Sequence, residues 1–146
     1  MRGTYCLIIE LEESSRIEIG SLGMIEFPAG IYVYVGSALA GIEKRVARHR
    51  SNEKRRKWHI DFLLDQAQVL SVIAIPTDTK KTECEVARAL LECEGACAPI
   101  MGFGSSDCSC KSHLIFFEDV DPEWVAENIS RRLSMLECVY QRTTVH

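Results

Sequence analysis

The sequence predicts a single α/β domain of the α+β type, a small, mainly antiparallel sheet flanked by helices. Three observations carry that expectation. Residues 4–11 and 31–35 alternate apolar and other side chains with the period of two that marks strands. Residues 69–75, VLSVIAI, form a near-continuous apolar run stopped by Pro76, as expected of a strand covered on both faces. Between and after these segments, apolar residues recur at spacings of three and four, the pattern of helices with one buried stripe. A length of 146 residues suits one domain with an ordinary core, and neither an internal repeat nor a domain boundary interrupts it.

In order, TYCLIIEL (4–11) reads as a strand with Tyr5, Leu7, Ile9 and Leu11 on one face. Glu12 to Ser15 form a polar turn, and Arg16 to Ile19 return as a strand that residues 24–27 extend. Pro28, Ala29 and Gly30 turn into the strand holding Tyr32 and Tyr34, and three antiparallel strands in a meander are the economical arrangement. Beyond Gly41, Ile42 and Val46 share one helical face, while Arg45 and His49 share another. Trp58, Phe62, Leu63 and Leu64 mark a second helix, and residues 82–93 a third, with Val86, Ala89, Leu90 and Cys93 as its stripe. Residues 94–112 read as a long Gly/Ser/Cys loop, a candidate functional segment, followed by a strand over 113–117. Asp121 caps a last helix with Pro122 at its first position, and Val125, Ile129, Leu133 and Leu136 give it an apolar face. The tail from Gln141 to His146 is expected to fray.

Composition, 47% hydrophobic and 26% charged, is that of a globular protein. No apolar run reaches the length of a membrane span. MRGTYCLIIELEESS lacks a cleavage pattern and reads as a first strand, so a cytoplasmic location is expected. Seven cysteines in such a chain suggest reduced thiols or metal ligands in preference to a disulfide framework. Net charge is −4, yet Lys44, Arg45, Arg48, Arg50, Lys54, Arg55, Arg56 and Lys57 crowd one stretch opposed only by Glu53. Such a patch on an acidic body suits contact with a polyanion on one face. A solvated basic loop between two helices is the competing reading.

Residues 30–59 gather two strand tyrosines with a helical arginine and histidine, an arrangement that core packing does not require. Tyr34-Val35-Gly36-Ser37-Ala38, then Glu43-Lys44-Arg45 and Arg48-His49, resembles the second half of the GIY-YIG nuclease motif and its following helix. FGSSDCSCKSHLIFF narrows the resemblance to the small Uri-type members of that superfamily, over roughly Gly3 to Phe117. The resemblance implies a metal-dependent endonuclease that hydrolyses phosphodiester bonds in DNA, or in RNA. Gly3-Thr4-Tyr5 is the better counterpart of the family's GIY, because Tyr32 lies on the same strand as Tyr34. On that footing Arg45 steadies the phosphate, Tyr5, Tyr34 and His49 handle water and protons, and His59 loosely matches a further histidine. The family's metal ligand falls on Glu85, with Glu83 as fallback, and Mg²⁺ is the expected ion, with Mn²⁺ substituting. Asp107 and His113 border the cleft as supporting residues.

Two competing roles stand beside these. Thr82-x-x-Glu85 is also a capping box, which would occupy Glu85 at a helix start. Cys93-x3-Cys97 and Cys108-x-Cys110-x2-His113 supply enough ligands for zinc without the paired C-x-x-C knuckles of a strong zinc signature. Small buried thiols under a tight loop would explain the same cysteines. The alternatives to an endonuclease are therefore a catalytically silent nucleic-acid-binding module on the same fold, or a zinc or thiol protein built on the cysteine loop. Lys44, Arg48, Arg50, Lys54–Lys57 and His59 would hold the nucleic-acid backbone without base preference, leaving specificity to a partner protein or to substrate shape.

Overall fold

The computed structural model describes residues 1–106, 108–136 and 140–144. Its fold is α+β, organised on a sheet of order β6-β7-β4-β1-β5-β8 in which every pairing is antiparallel. The central strand β1 (Gly3–Leu11) lies between β4 (Gly30–Ala38) and β5 (Gln68–Pro76). All three are nine residues long, and β1 is buried on both faces, so each of its edges needs a partner of matching length and apolarity.

That requirement corrects the expected meander. The segments β2 (Ser15–Glu18) and β3 (Met24–Phe27) pair only with each other, as a separate two-stranded sheet. They are four residues long and largely exposed, too short and polar to flank β1. The chain makes this excursion and returns in β4, which takes the place beside β1.

Helices cover both faces. On one, α1 (Ile42–Arg50) and α2 (His59–Leu64) place Ile42, Val46, Ile60 and Leu63 against Tyr5, Leu7 and Ile9. On the other, α3 (Lys81–Leu91) and α4 (Pro122–Met135) bury Val86, Leu90, Val125, Ile129 and Leu133 against Ile8, Val33 and Ile73. Successive residues of β1 thus feed opposite cores, as strand geometry dictates. Asp121 caps α4 as expected, its side chain accepting from the Glu123 amide at 2.7 Å.

Three further expectations are revised. Residues 94–112 are not wholly loop, because Ala96–Cys97 form β6 against β7 (Leu114–Phe117). The tail is ordered as β8 (Gln141–Thr144), paired with β5 and tied to α4 by an Arg142–Glu123 contact of 2.6 Å; residues 145–146 lie outside the described residues. The capping box over Thr82 and Glu85 does not form, because the helix already begins at Lys81 and the Thr82 hydroxyl meets that of Thr77 at 3.0 Å. Among the described residues, no helix is long and apolar enough to cross a membrane.

Candidate active cleft and the adjoining cysteine cluster

The pairing of β1 with β4 sets Tyr5 opposite Gly36 and Tyr34 opposite Leu7, so the two tyrosines are diagonal neighbours on one face. Their ring centroids are 6.4 Å apart. Glycine at position 36 is what lets Tyr5 lie there, since a Cβ would strike its ring and hydroxyl. The Tyr5 hydroxyl reaches His49 Nε2 at 2.7 Å, and both residues are buried. Burial pushes the His49 imidazole down to about 3, against the pull of Asp61, so it is neutral at physiological pH. Burial also raises the Tyr5 and Tyr34 phenols well above their ordinary value, and the Arg45 guanidinium offsets this only in part. Both tyrosines are therefore hydrogen-bonding phenols and not phenolates.

Above this pair opens a cleft of about 380 Å³ whose walls come from five parts of the chain. Tyr34 and Ser37 come from β4, and Arg45 from α1. Lys57, Trp58 and His59 stand at the start of α2, Lys80 and Glu83 at the start of α3, and Gly104 and Ser106 in the loop before β7. Arg45 is aimed by two contacts. One guanidinium N–H donates to the Ser37 carbonyl at 3.0 Å, and the group lies 4.4 Å from the centroid of the Trp58 ring. His59 Nδ1 accepts the Gly104 amide at 2.9 Å, which joins the loop to α2 and leaves the ring proton on Nε2. Gly104 has φ +67 and packs so close to Tyr34 that a Cβ would come within 2.9 Å of its ring.

The structure thus brings Tyr34, Arg45, Lys57 and His59 to one cleft, with Tyr5 and His49 buried beneath it as a supporting pair. Glu85 is not with them. It is exposed, whereas Glu83, two residues earlier and on the opposite side of the helix, lines the cleft and is buried. The carboxylate available there is therefore Glu83, the sequence-based fallback. Asp107 lies outside the described residues.

Several basic residues expected to hold nucleic acid are occupied within the fold. Arg48 forks onto Asp61 with bonds of 2.8 and 2.9 Å and stacks 4.2 Å from the Trp58 ring centroid. Asp61 is fully buried, yet the Arg48 fork and the amides of Lys57 and Trp58 hold its carboxyl below the ordinary value despite burial. The Lys54 ammonium donates to the carbonyls of His49 and Ser51 and closes the C-terminus of α1. Arg56 meets Asp65 at 2.6 Å. Lys44, Arg50, Arg55 and Lys57 are exposed, and no ion-pair partner stands near them among the described residues. A basic depression lined by Arg48 and Lys54–Lys57 adjoins the cleft through Lys57.

The cysteines are rearranged relative to expectation. Cys93 is buried under α3 with its thiol facing the Ala89 carbonyl, and Cys97 is exposed in β6. Neither joins Cys108, Cys110 and His113. Their companion is Cys84 of α3, and the four candidate ligand atoms all lie within 4.8 Å of one another. His113 is fully buried, with Nε2 at 3.5 Å from Cys108 Sγ and 3.9 Å from Cys84 Sγ. Its Nδ1 lies 2.8 Å from Glu83 Oε2, an ion-pair distance without full hydrogen-bond alignment. Against burial, the contacts with Glu83 and Cys110 raise the His113 imidazole above its ordinary value.

A family model described as a domain of unknown function, DUF123, matches residues 4–135. The chain belongs to the DUF123 family. The match takes in every residue of the cleft and of the cysteine cluster, and ends before β8. Neither the curated proteins nor the solved structures yield a match.

Proposed function

We propose that this DUF123 protein is a metal-dependent endonuclease acting on DNA, with RNA as the alternative polyanion. The observation that carries the reading is the composition of the cleft. Arg45 and Lys57 line the cleft with one carboxylate among its described residues, Glu83, and His59 and the Tyr34 hydroxyl stand beside them as neutral hydrogen-bonding groups. A site for an ordinary neutral metabolite has no use for that excess of positive charge, whereas a phosphodiester does. The resemblance of YVGSA…EKR…RH to GIY-YIG nucleases, Uri-type members in particular, supports the same reading.

Arg45, held by Ser37 and Trp58, presents its remaining N–H donors to a phosphate and stabilises the charge that grows on its oxygens. Tyr34 positions the attacking water as a neutral phenol, and Tyr5 with His49 fixes Tyr34 from below. One carboxylate with substrate phosphate oxygens is a donor set that fits Mg²⁺, and Mn²⁺ equally, so Glu83 would hold the ion. Bound there, the ion supplies charge neutralisation at the leaving oxygen. The free cysteines suit a reducing compartment, and the cytoplasm is the location we assign.

The test is nicking of plasmid and branched DNA with Mg²⁺, Mn²⁺ or EDTA. Wild-type cutting should require metal, and Arg45→Ala and Glu83→Gln should each lose at least 100-fold, on the order expected for loss of one charge-stabilising group. Glu85→Gln should cut like wild type. Salt-dependent binding without any cutting would replace this reading by a binding module on the same fold.

A further inference from the structure

We propose that Cys84, Cys108, Cys110 and His113 bind one zinc ion as a closed structural site that adjoins the cleft through Glu83, whatever reaction the cleft performs. A tetrahedral zinc with Zn–S near 2.3 Å and Zn–N near 2.0–2.1 Å places its sulfur and nitrogen ligands about 3.6 Å apart. The His113 Nε2 distances to Cys108 and Cys84, 3.5 and 3.9 Å, bracket that value. Four ligand atoms within 4.8 Å of one another need only a small contraction to close on an ion. Three thiolates and an imidazole are soft and borderline donors, suited to zinc and not to magnesium.

The surroundings fit as well. A metal-bound histidine usually has its other ring nitrogen turned to a carboxylate, which fixes the ring. Here Nδ1 of His113 faces Glu83 Oε2 at 2.8 Å. Cys110 also lines a shallow surface depression with Arg88 and Lys111, giving the ion a way in. Four protein ligands leave no open position, so the ion would hold structure and perform no chemistry. What it would hold is clear from the topology. Cys84 belongs to α3, and the other three ligands to the loop that brings Gly104 and Ser106 to the cleft wall. Binding would release the thiol protons and clamp the loop to the helix, and through His113 it would set Glu83.

Elemental analysis of the purified chain should find one zinc per molecule. After chelation, Co²⁺ should restore the intense visible bands of a tetrahedral site together with near-ultraviolet thiolate charge transfer. Cys108→Ser and Cys110→Ser should weaken zinc binding by at least 10-fold, and Glu83→Gln by 10- to 100-fold. Cys97→Ser, outside the cluster, should bind like wild type. Because a ligand variant could misfold, the wild-type chain supplies a second readout. Chelation should speed tryptic cleavage after the exposed Lys111, and added Zn²⁺ should reverse this. Zinc well below one per molecule after exposure to Zn²⁺, cobalt bands without thiolate character, a disulfide among the three cysteines, or equal binding by Cys108→Ser would each overturn the proposal.

Discussion

His49 concentrates what single residues contribute here. Its imidazole is buried neutral, so the unfolded chain takes up a proton near pH 6.5 that the folded chain refuses until about pH 3. The stability it contributes is whole above pH 6.5 and is lost as the pH falls toward 3, at up to about 1.4 kcal/mol per pH unit. Asp61, lowered from 3.8, adds its own loss only below that value. His59 shifts in the same direction as His49 and His113 in the opposite one, so the diagnostic quantity is a difference. Urea melts at pH 7.0, 5.5 and 4.5 should show a steep fall for wild type and a shallower one for His49→Gln; equal slopes would refute the neutral buried histidine. Position 36 offers a second check at this scale. Gly36→Ala would drive a methyl into Tyr5 and should cost about 1–3 kcal/mol, read as a lower urea midpoint. Tyr34, Arg45 and His49 were legible in the sequence because a strand period and a helix period each place them on known faces. The sequence does not tell Glu83 from Glu85, because two residues along a helix lie on opposite sides and the register of α3 against the cleft depends on packing that no local pattern records.

At the scale of elements, α1 and α2 are clipped together by Arg48 and the buried Asp61. Arg48→Ala would strand a fully buried carboxylate on two backbone amides alone, and should destabilise the fold by about 3 kcal/mol. Arg55→Ala, on an exposed side chain in the same basic stretch, should change stability by no more than about 0.5 kcal/mol. Thermal melts of the two variants side by side test the distinction. A count of basic residues between 44 and 57 could not make it, because the partners Asp61 and Asp65 lie further along the chain and meet the arginines only through the fold of α2. Pairing between strands distant in sequence is hidden in the same way. Alternation identified β1 and β4, but only the matching of length and burial on both faces decides that they are neighbours and that β2 and β3 stand apart. Cys84 is hidden in the sequence for a related reason: no spacing along the chain links it to the other three ligands, which this thiol reaches across the gap between a helix and a loop.

For the molecule as a whole, net charge is −4 while one face is basic, and the question is how much of that face can meet a polyanion. With Arg48 on Asp61, Arg56 on Asp65 and Lys54 closing α1, the cations left to act are Lys44, Arg45, Arg50, Arg55 and Lys57. Each phosphate neutralised on duplex DNA steepens the fall of log K with log[salt] by about 0.9. Lys44, Arg45 and Arg50 fall on different sides of α1 by helical spacing, so three to five contacts are expected, with a slope of about −3 to −5. Fluorescence anisotropy of a labelled duplex between 50 and 200 mM salt, in EDTA to prevent cutting, measures it directly. Lys57→Ala, at the junction of cleft and basic depression, should flatten the slope by roughly one unit, and Arg56→Ala should leave it nearly unchanged. A slope near −7 would mean that the internal pairs open on binding and the whole basic stretch engages. A slope near zero would remove the polyanion from the account of this face, and with it the main support for the nuclease reading of the cleft.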